Sequence, residues 1–178
     1  MVIYFLRHAN AGQKQFSDPA KDEKRPLDKV GEVQSNDVGR ALAYIGVTAN
    51  VIISSPLTRA MQTATLVAQW IGYEEKIVVD DALRPEGTFE QFKALLNRHK
   101  DKPSIMVVGH DPSMTEFVNR VLSGGAPMAA IEMKKGGVAK VEKELRRPAM
   151  LRWLMTPKVV QRVQRSSAKR SRPKTDLK

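Results

Sequence analysis

Apolar positions along the chain fall into two alternating rhythms. Short unbroken runs at 2–6, 51–53, 77–79 and 105–108 are too brief for helices and bounded by polar residues, which predicts buried strands. Between them the spacing changes to three and four. Val38, Ala41, Leu42 and Ile45 form one helical face, Ala60, Thr63, Ala64, Val67 and Ile71 a second, and Phe89, Phe92 and Leu96 a third. The clearest stripe is Met114, Phe117, Val118, Val121 and Leu122. Strands alternating with amphipathic helices predict an α/β fold, a three-layer α/β/α sandwich around a mostly parallel sheet covered on both faces. After Gly125 the pattern changes to short apolar runs at 131–133, 138–141 and 150–154, which predict an antiparallel margin of the same sheet.

Size and charge refine this picture. The 178 residues suit one domain with enough apolar content for a core. The net charge of +11 is unevenly spread. Residues 158–178 hold eight Lys or Arg against Asp176 alone, so +7 lies there and +4 in residues 1–157. Beyond about Gln164 this segment offers almost no large apolar side chain to offset its ordering entropy. The reading is therefore a compact domain over 1–157, closed by Pro157, and a basic, disordered tail over 158–178. The tail could contact phosphates without selectivity but carries no groove-reading element, so a nucleic-acid partner ranks last. With no cysteine, disulfides and thiolate metal sites are excluded and a reducing compartment is a natural fit. The first apolar run is too short for a secretory signal, and no stretch approaches the roughly 20 apolar residues of a membrane span. The expected protein is cytoplasmic, with no membrane association.

Ligands of open α/β sheets bind beyond the carboxyl ends of the strands, so the residues that follow each predicted strand carry the chemistry. After the first come Arg7 and His8. After the second comes the segment from Ser54 to Arg59, after the third the segment from Leu83 to Gly87, and after the fourth Gly109, His110, Asp111 and Pro112. Two of the three histidines and several arginines thus meet at one edge, a cationic site suited to an anion. Ser55 predicts an N-cap and Pro56 a first helical residue, which puts Arg59 in a first turn. The helix dipole disfavours a cation there by ~0.3–1 kcal/mol, and a bound phosphate reverses that sign. Alone, Arg59 reads as a solvated helix residue; beside Arg7 and two histidines it reads as a phosphate ligand.

A neutral imidazole at His8 can attack phosphorus and carry the phosphoryl group covalently. Nearby arginines favour the neutral form, and the other ring nitrogen needs an acceptor such as a backbone carbonyl to fix the tautomer. His110 can donate to a phosphoryl oxygen. His99, in a charged stretch at a helix end, reads as surface. No carboxylate cluster with metal-ligand spacing accompanies the histidines, Asp80 and Asp81 read as an exposed turn, and there is no glycine-rich nucleotide loop; neither metal nor cofactor is expected.

These motifs together resemble the histidine phosphatase superfamily, whose fold is phosphoglycerate mutase-like. Leu6-Arg7-His8-Ala9 resembles its Arg-His signature after the first strand, the stretch from Ser54 to Thr63 its Ser-Pro-x-x-Arg-Ala-x-Gln-Thr segment, and Val108-Gly109-His110 its second histidine motif. Within it the chain most resembles the small phosphohistidine phosphatases, through Arg7-His8-Ala9-Asn10-Ala11 and the segment from Asp22 to Gly31, where Asp28 stands in place of the usual Thr. The resemblance implies that Arg7, His8, Arg59 and His110 bind and transfer the phosphoryl group, with His8 as nucleophile and Arg25 and Asn10 as further substrate contacts. It departs at the proton donor. The superfamily's Glu after the third strand falls at Pro85, with Glu86 next to it; Asp18 and Asp22 are the other candidates. The stretch from Leu83 to Phe89 is too short for the lid insertion of larger relatives. The leading reading is a metal-independent phosphatase for phosphohistidine in a protein. The alternatives are a small-molecule phosphomonoesterase using Glu86 as acid, and a phosphate-binding module without turnover.

Overall fold

In a computed structural model, residues 1–13, 18–126, 131–144 and 147–170 are described. Six strands form one sheet: β1 (Val2–Arg7), β2 (Val51–Ser54), β3 (Val78–Val79), β4 (Ser104–Gly109), β5 (Val138–Glu142) and β6 (Met150–Met155), in the order β3-β2-β4-β1-β5-β6. The first four pair in parallel, and β5 and β6 add the antiparallel margin that the sequence predicts. The helices are α1 (Pro19–Glu23), α2 (Lys29–Tyr44), α3 (Thr58–Trp70), α4 (Phe89–Arg98), α5 (Ser113–Leu122) and α6 (Pro157–Arg170).

Strand alternation sorts the core into two halves. Ile3, Phe5, Ile105 and Val107 point to the face covered by α4 and α5, where Phe92 and Phe117 stack at 4.5 Å. Tyr4, Leu6, Met106 and Val108 point to the other face, under α2, α3 and α6. Each of these side chains is buried, and each such burial contributes roughly 1.5–3 kcal/mol. The chain leaves β1 toward α2 on one face and leaves β4 toward α5 on the other. A crevice therefore opens where the carboxyl ends of β1 and β4 lie side by side, the usual ligand position in such sheets.

Five expectations are corrected. The run at 77–79 supplies a strand, β3, but not a buried one: it is two residues long at the sheet edge, and Val78 and Val79 are exposed. The segment 131–133 is not a strand: Asn119 holds it instead, donating to Ile131 O at 2.7 Å and accepting from Ile131 N at 2.9 Å. Pro157 does not close the compact part; it opens α6, whose Val160 is 4% exposed and packs into the same core as α2. The apolar pair Val159–Val160 beside a charged face was too short a signal to register as a helix. Residues 171–178 of the expected tail lie outside the described residues. Ile45, placed on the buried face of α2, is its half-exposed C-cap. Finally, α3 begins at Thr58 rather than Pro56, with Leu57 as N-cap. Ser55 braces the preceding turn instead, its Oγ accepting from Leu57 N at 3.4 Å.

Candidate active site

The crevice is a cavity of about 810 Å³ lined by His8, Arg25, Arg59 and His110, with Asp22, Glu23, Arg84, Glu86 and Lys135 around them. His8 follows β1 directly and its backbone is held from two sides. Its N–H donates to Gly109 O at 2.9 Å, and its carbonyl accepts from Gly136 N at 3.0 Å. A Cβ on Gly109 would meet Leu83 O and Met114 Sδ at 3.0 Å each, so these loops approach closely there and a side chain would need them to shift.

The His8 ring is buried, and its Nδ1 lies 2.7 Å from Ala9 O. A carbonyl only accepts, so Nδ1 carries the proton and Nε2 keeps its lone pair. Burial lowers the His8 pKa to about 3, and Arg59, Arg7 and Lys135 push in the same direction, against the opposing Ala9 hydrogen bond. The neutral, nucleophilic form therefore dominates across the physiological range. The His110 ring sits 4.9 Å away, centroid to centroid, with Nε2 at 2.9 Å from Ser55 Oγ. Ser55 Oγ also accepts from Leu57 N at 3.4 Å, so one hydroxyl serves both the turn before α3 and His110. Burial, then His8 and the arginines, lower the His110 pKa to about 2.

The arginines are already engaged with carboxylates. Arg59 donates to Asp22 O at 2.9 Å and lies 3.5 Å from the Asp22 carboxylate, which Arg25 also meets at 2.8 Å. Arg7 does not line the cavity; it donates to Met133 O at 2.7 Å and faces Asp111 at 3.4 Å. Yet three buried side-chain atoms among the described residues have no protein partner, and they are Arg7 Nε, Arg59 Nε and His110 Nδ1. Orphaned buried polar atoms are rare and each costs about 1–3 kcal/mol. All three belong to residues singled out by the sequence, and two of these residues, Arg59 and His110, line the cavity.

The structure gathers His8, Arg25, Arg59 and His110 around one cavity and puts Arg7 beside them. It does not bring in Asn10, whose amide donates to Asp28 at 2.6 Å and is held outside the lining. Of the three proton-donor candidates, Glu86 is exposed and lines the cavity. Asp22 lines it but is bound by Arg25 and Arg59. Asp18 instead caps α1 through Ala20 N and stays away. Two further cations join the site without having been given a role from the sequence. Arg84 pairs with Glu23 and Asp81 at 2.7 Å each, and Lys135 reaches the cavity from the turn before β5. Arg84 was visible at a strand exit. Lys135 had no such signal, because a margin strand's turn joins the site only through the antiparallel pairing of β5 with β1. Among the described residues no group of His, Asp and Glu could hold a metal ion, and no helix is long and apolar enough to cross a membrane.

Residues 3–91 match the family model of the histidine phosphatase superfamily (branch 1). An uncharacterised protein of Picosynechococcus sp. is 33% identical over 141 residues, covering 78% of this chain and 82% of that protein. Among solved structures, the protein histidine phosphatase SixA complexed with tungstate superposes with a TM-score of 0.78 at 24% identity, covering 90% of this chain and 99% of that one. A phosphoserine phosphatase from Entamoeba histolytica in complex with phosphoserine gives 0.64 at 14% identity, covering 88% and 98%.

Proposed function

The chain belongs to the histidine phosphatase superfamily, and we propose that within it the protein removes the phosphoryl group from phosphohistidine on another protein. The observation that carries this reading is the set of partnerless atoms on Arg7, Arg59 and His110 around a neutral His8. They await an anion with several acceptor oxygens. In the first step His8 Nε2 bonds to phosphorus and the bond from phosphorus to the substrate imidazole breaks. The substrate ring, carrying a proton from solvent on its other nitrogen, keeps the electron pair of the broken bond and leaves as neutral imidazole, and Ala9 O steadies the charge building on the His8 ring through Nδ1–H. In the second step a water oxygen bonds to phosphorus, the bond to Nε2 breaks, and orthophosphate leaves. Arg59 and Arg7 face the charge on the transferring oxygens, a role worth about 10²–10³ in rate for one preorganised donor.

The leaving group favours a nitrogen substrate. An alkoxide needs a well-placed acid, an aid worth ~10²–10⁴-fold, and the family's donor position holds Pro85. An imidazole is protonated near neutral pH without help. The open crevice, with only residues 84–88 between Leu83 and α4, admits a protein loop. The test compares kcat/KM on a phosphohistidine peptide, p-nitrophenyl phosphate and an alkyl phosphate. We expect that descending order. An alkyl phosphate equal to the peptide overturns the assignment. Glu86, exposed on the cavity wall, supports a second reading, a small-molecule phosphomonoesterase with Glu86 as acid. Loss of about 10²-fold or more in the Glu86→Gln variant on alkyl phosphate would favour it.

A further inference from the structure

Every arginine at the site has a carboxylate within 3.5 Å: Arg7 has Asp111, Arg25 and Arg59 share Asp22, and Arg84 has Glu23 and Asp81. Their positive charge is largely answered before any phosphate arrives. Lys135 differs. It lines the same cavity, its ammonium rests 3.2 Å from Asn10 Oδ1, a neutral amide oxygen, and no ion pair to it occurs among the described residues. The Asn10 amide is in turn fixed by Asp28, which also caps α2 by accepting from Gly31 N at 2.8 Å. A Cβ at Gly31 would come within 1.9 Å of Asn10 O, so this bracket is packed tightly.

The backbone under Lys135 is equally constrained. Gly136 N donates to both Arg7 O and His8 O, and Arg7 N donates to Gly137 O at 3.1 Å. Gly136 adopts φ +68°, where a side chain is strained. The turn that carries Lys135 is thereby tied to the peptide groups of Arg7 and His8 themselves. We propose that Lys135 supplies the pocket's available positive charge to the phosphoryl dianion, as a substrate-binding residue held in position by Asn10. Its place among the cations that depress the His8 pKa agrees with this proximity. The proposal rests on the phosphatase reading of the cavity but not on the identity of the phosphorylated substrate.

Inorganic phosphate serves as the probe, titrated calorimetrically into the full-length protein at low and at high salt. Lys135→Met and Lys135→Gln should each weaken phosphate binding about tenfold or more, the order of one charge-assisted hydrogen bond. Lys135→Arg should recover most of that loss, and the salt dependence of binding should be shallower in the Met and Gln variants. On an aryl phosphate the same variants should raise KM more than they lower kcat, as loss of uniform binding does. Lys134→Met is the control, since Lys134 pairs with Glu132 and lies outside the cavity lining; it should leave binding unchanged. Met and Gln variants that bind phosphate within about twofold of wild type at low salt, well inside the range of one such bond, overturn the proposal. A protein that binds phosphate through Lys135 yet fails on the phosphohistidine peptide would overturn the substrate assignment alone.

Discussion

Acidification is the most discriminating perturbation of this site. An ordinary imidazole titrates near 6.5, whereas burial and the surrounding cations hold His8 at about 3. At pH 5 a group titrating at 6.5 is only about 3% neutral, while one at 3 is about 99% neutral, a difference of about thirtyfold in available nucleophile. The rate of His8 phosphorylation in a single turnover should therefore stay nearly flat from pH 6.5 to 5. The assay is rapid-quench turnover of an aryl phosphate with enzyme in excess, each rate corrected for the substrate's own ionisation, followed separately by its phosphorus chemical shift. A corrected rate that falls about tenfold per pH unit below 6.5 refutes the buried, neutral His8. The same shift has a thermodynamic face. The unfolded state binds a proton at His8 below 6.5 while the folded state does not until about 3. The contribution to stability is thus complete above 6.5 and is lost as pH falls through that window. Between pH 6.5 and 5, His8 alone should cost roughly 1.5–2 kcal/mol, measurable by urea unfolding, and His110 adds to it in the same direction. His8→Asn should flatten the slope without abolishing it.

Further outcomes are expected. During turnover an acid-labile, base-stable phosphoryl label should appear on His8; a His8→Asn variant that keeps substantial activity contradicts it. Arg59→Ala should lose on the order of 10²–10³ in rate, read as kcat on an aryl phosphate. Exhaustive chelation should leave activity unchanged, because guanidinium and imidazole groups supply the charge that a divalent ion supplies elsewhere; activity restored by added metal would refute this. Gly31→Ala should destabilise by about 1–3 kcal/mol through its clash with Asn10 O, beyond any gain in helix propensity, as a lowered urea midpoint. Ending the chain after Thr156 should lower stability by roughly 1.5–3 kcal/mol through the loss of buried Val160; an unchanged midpoint would return α6 to the status of a dispensable tail.

The parallel half of the sheet was legible because each strand is a short apolar run followed by turn residues and a periodic helix. The candidate site segments follow from the same rule, since Arg7 ends β1, His8 and His110 directly follow β1 and β4, and Arg59 lies in the first turn of the helix after β2. What the sequence hid were contacts that depend on tertiary pairing. Ser55 reads as a helix cap by composition, but Leu57 takes that place, and the Ser55 hydroxyl meets both His110 Nε2 at 2.9 Å and Leu57 N at 3.4 Å. Asn10 reads as a substrate ligand by its place in the first motif, yet Asp28 binds its amide. Lys135 is 127 residues from His8 in sequence and joins it only because β5 pairs antiparallel with β1.

The site divides its burdens between backbone and side chains. Around His8 the peptide groups are fully engaged: Arg7 N, His8 N and His8 O all have partners supplied by Gly109, Gly136 and Gly137. The side-chain atoms Arg7 Nε, Arg59 Nε and His110 Nδ1 are left without protein partners. A rigid frame is needed for this, because a flexible one would relax until the orphaned atoms found protein acceptors or water. Each such atom costs about 1–3 kcal/mol while the pocket holds no ligand, and a bound phosphoryl oxygen removes that cost. The interaction is then set up in advance, with little reorganisation left for the moment of transfer. The carboxylates beside the arginines serve the same end: Asp22 and Asp111 keep the guanidinium groups in place in the absence of substrate and limit the net positive charge that would otherwise drive the loops apart. The same neutralisation makes Lys135, which has no carboxylate partner among the described residues, the group whose charge the incoming dianion feels most directly.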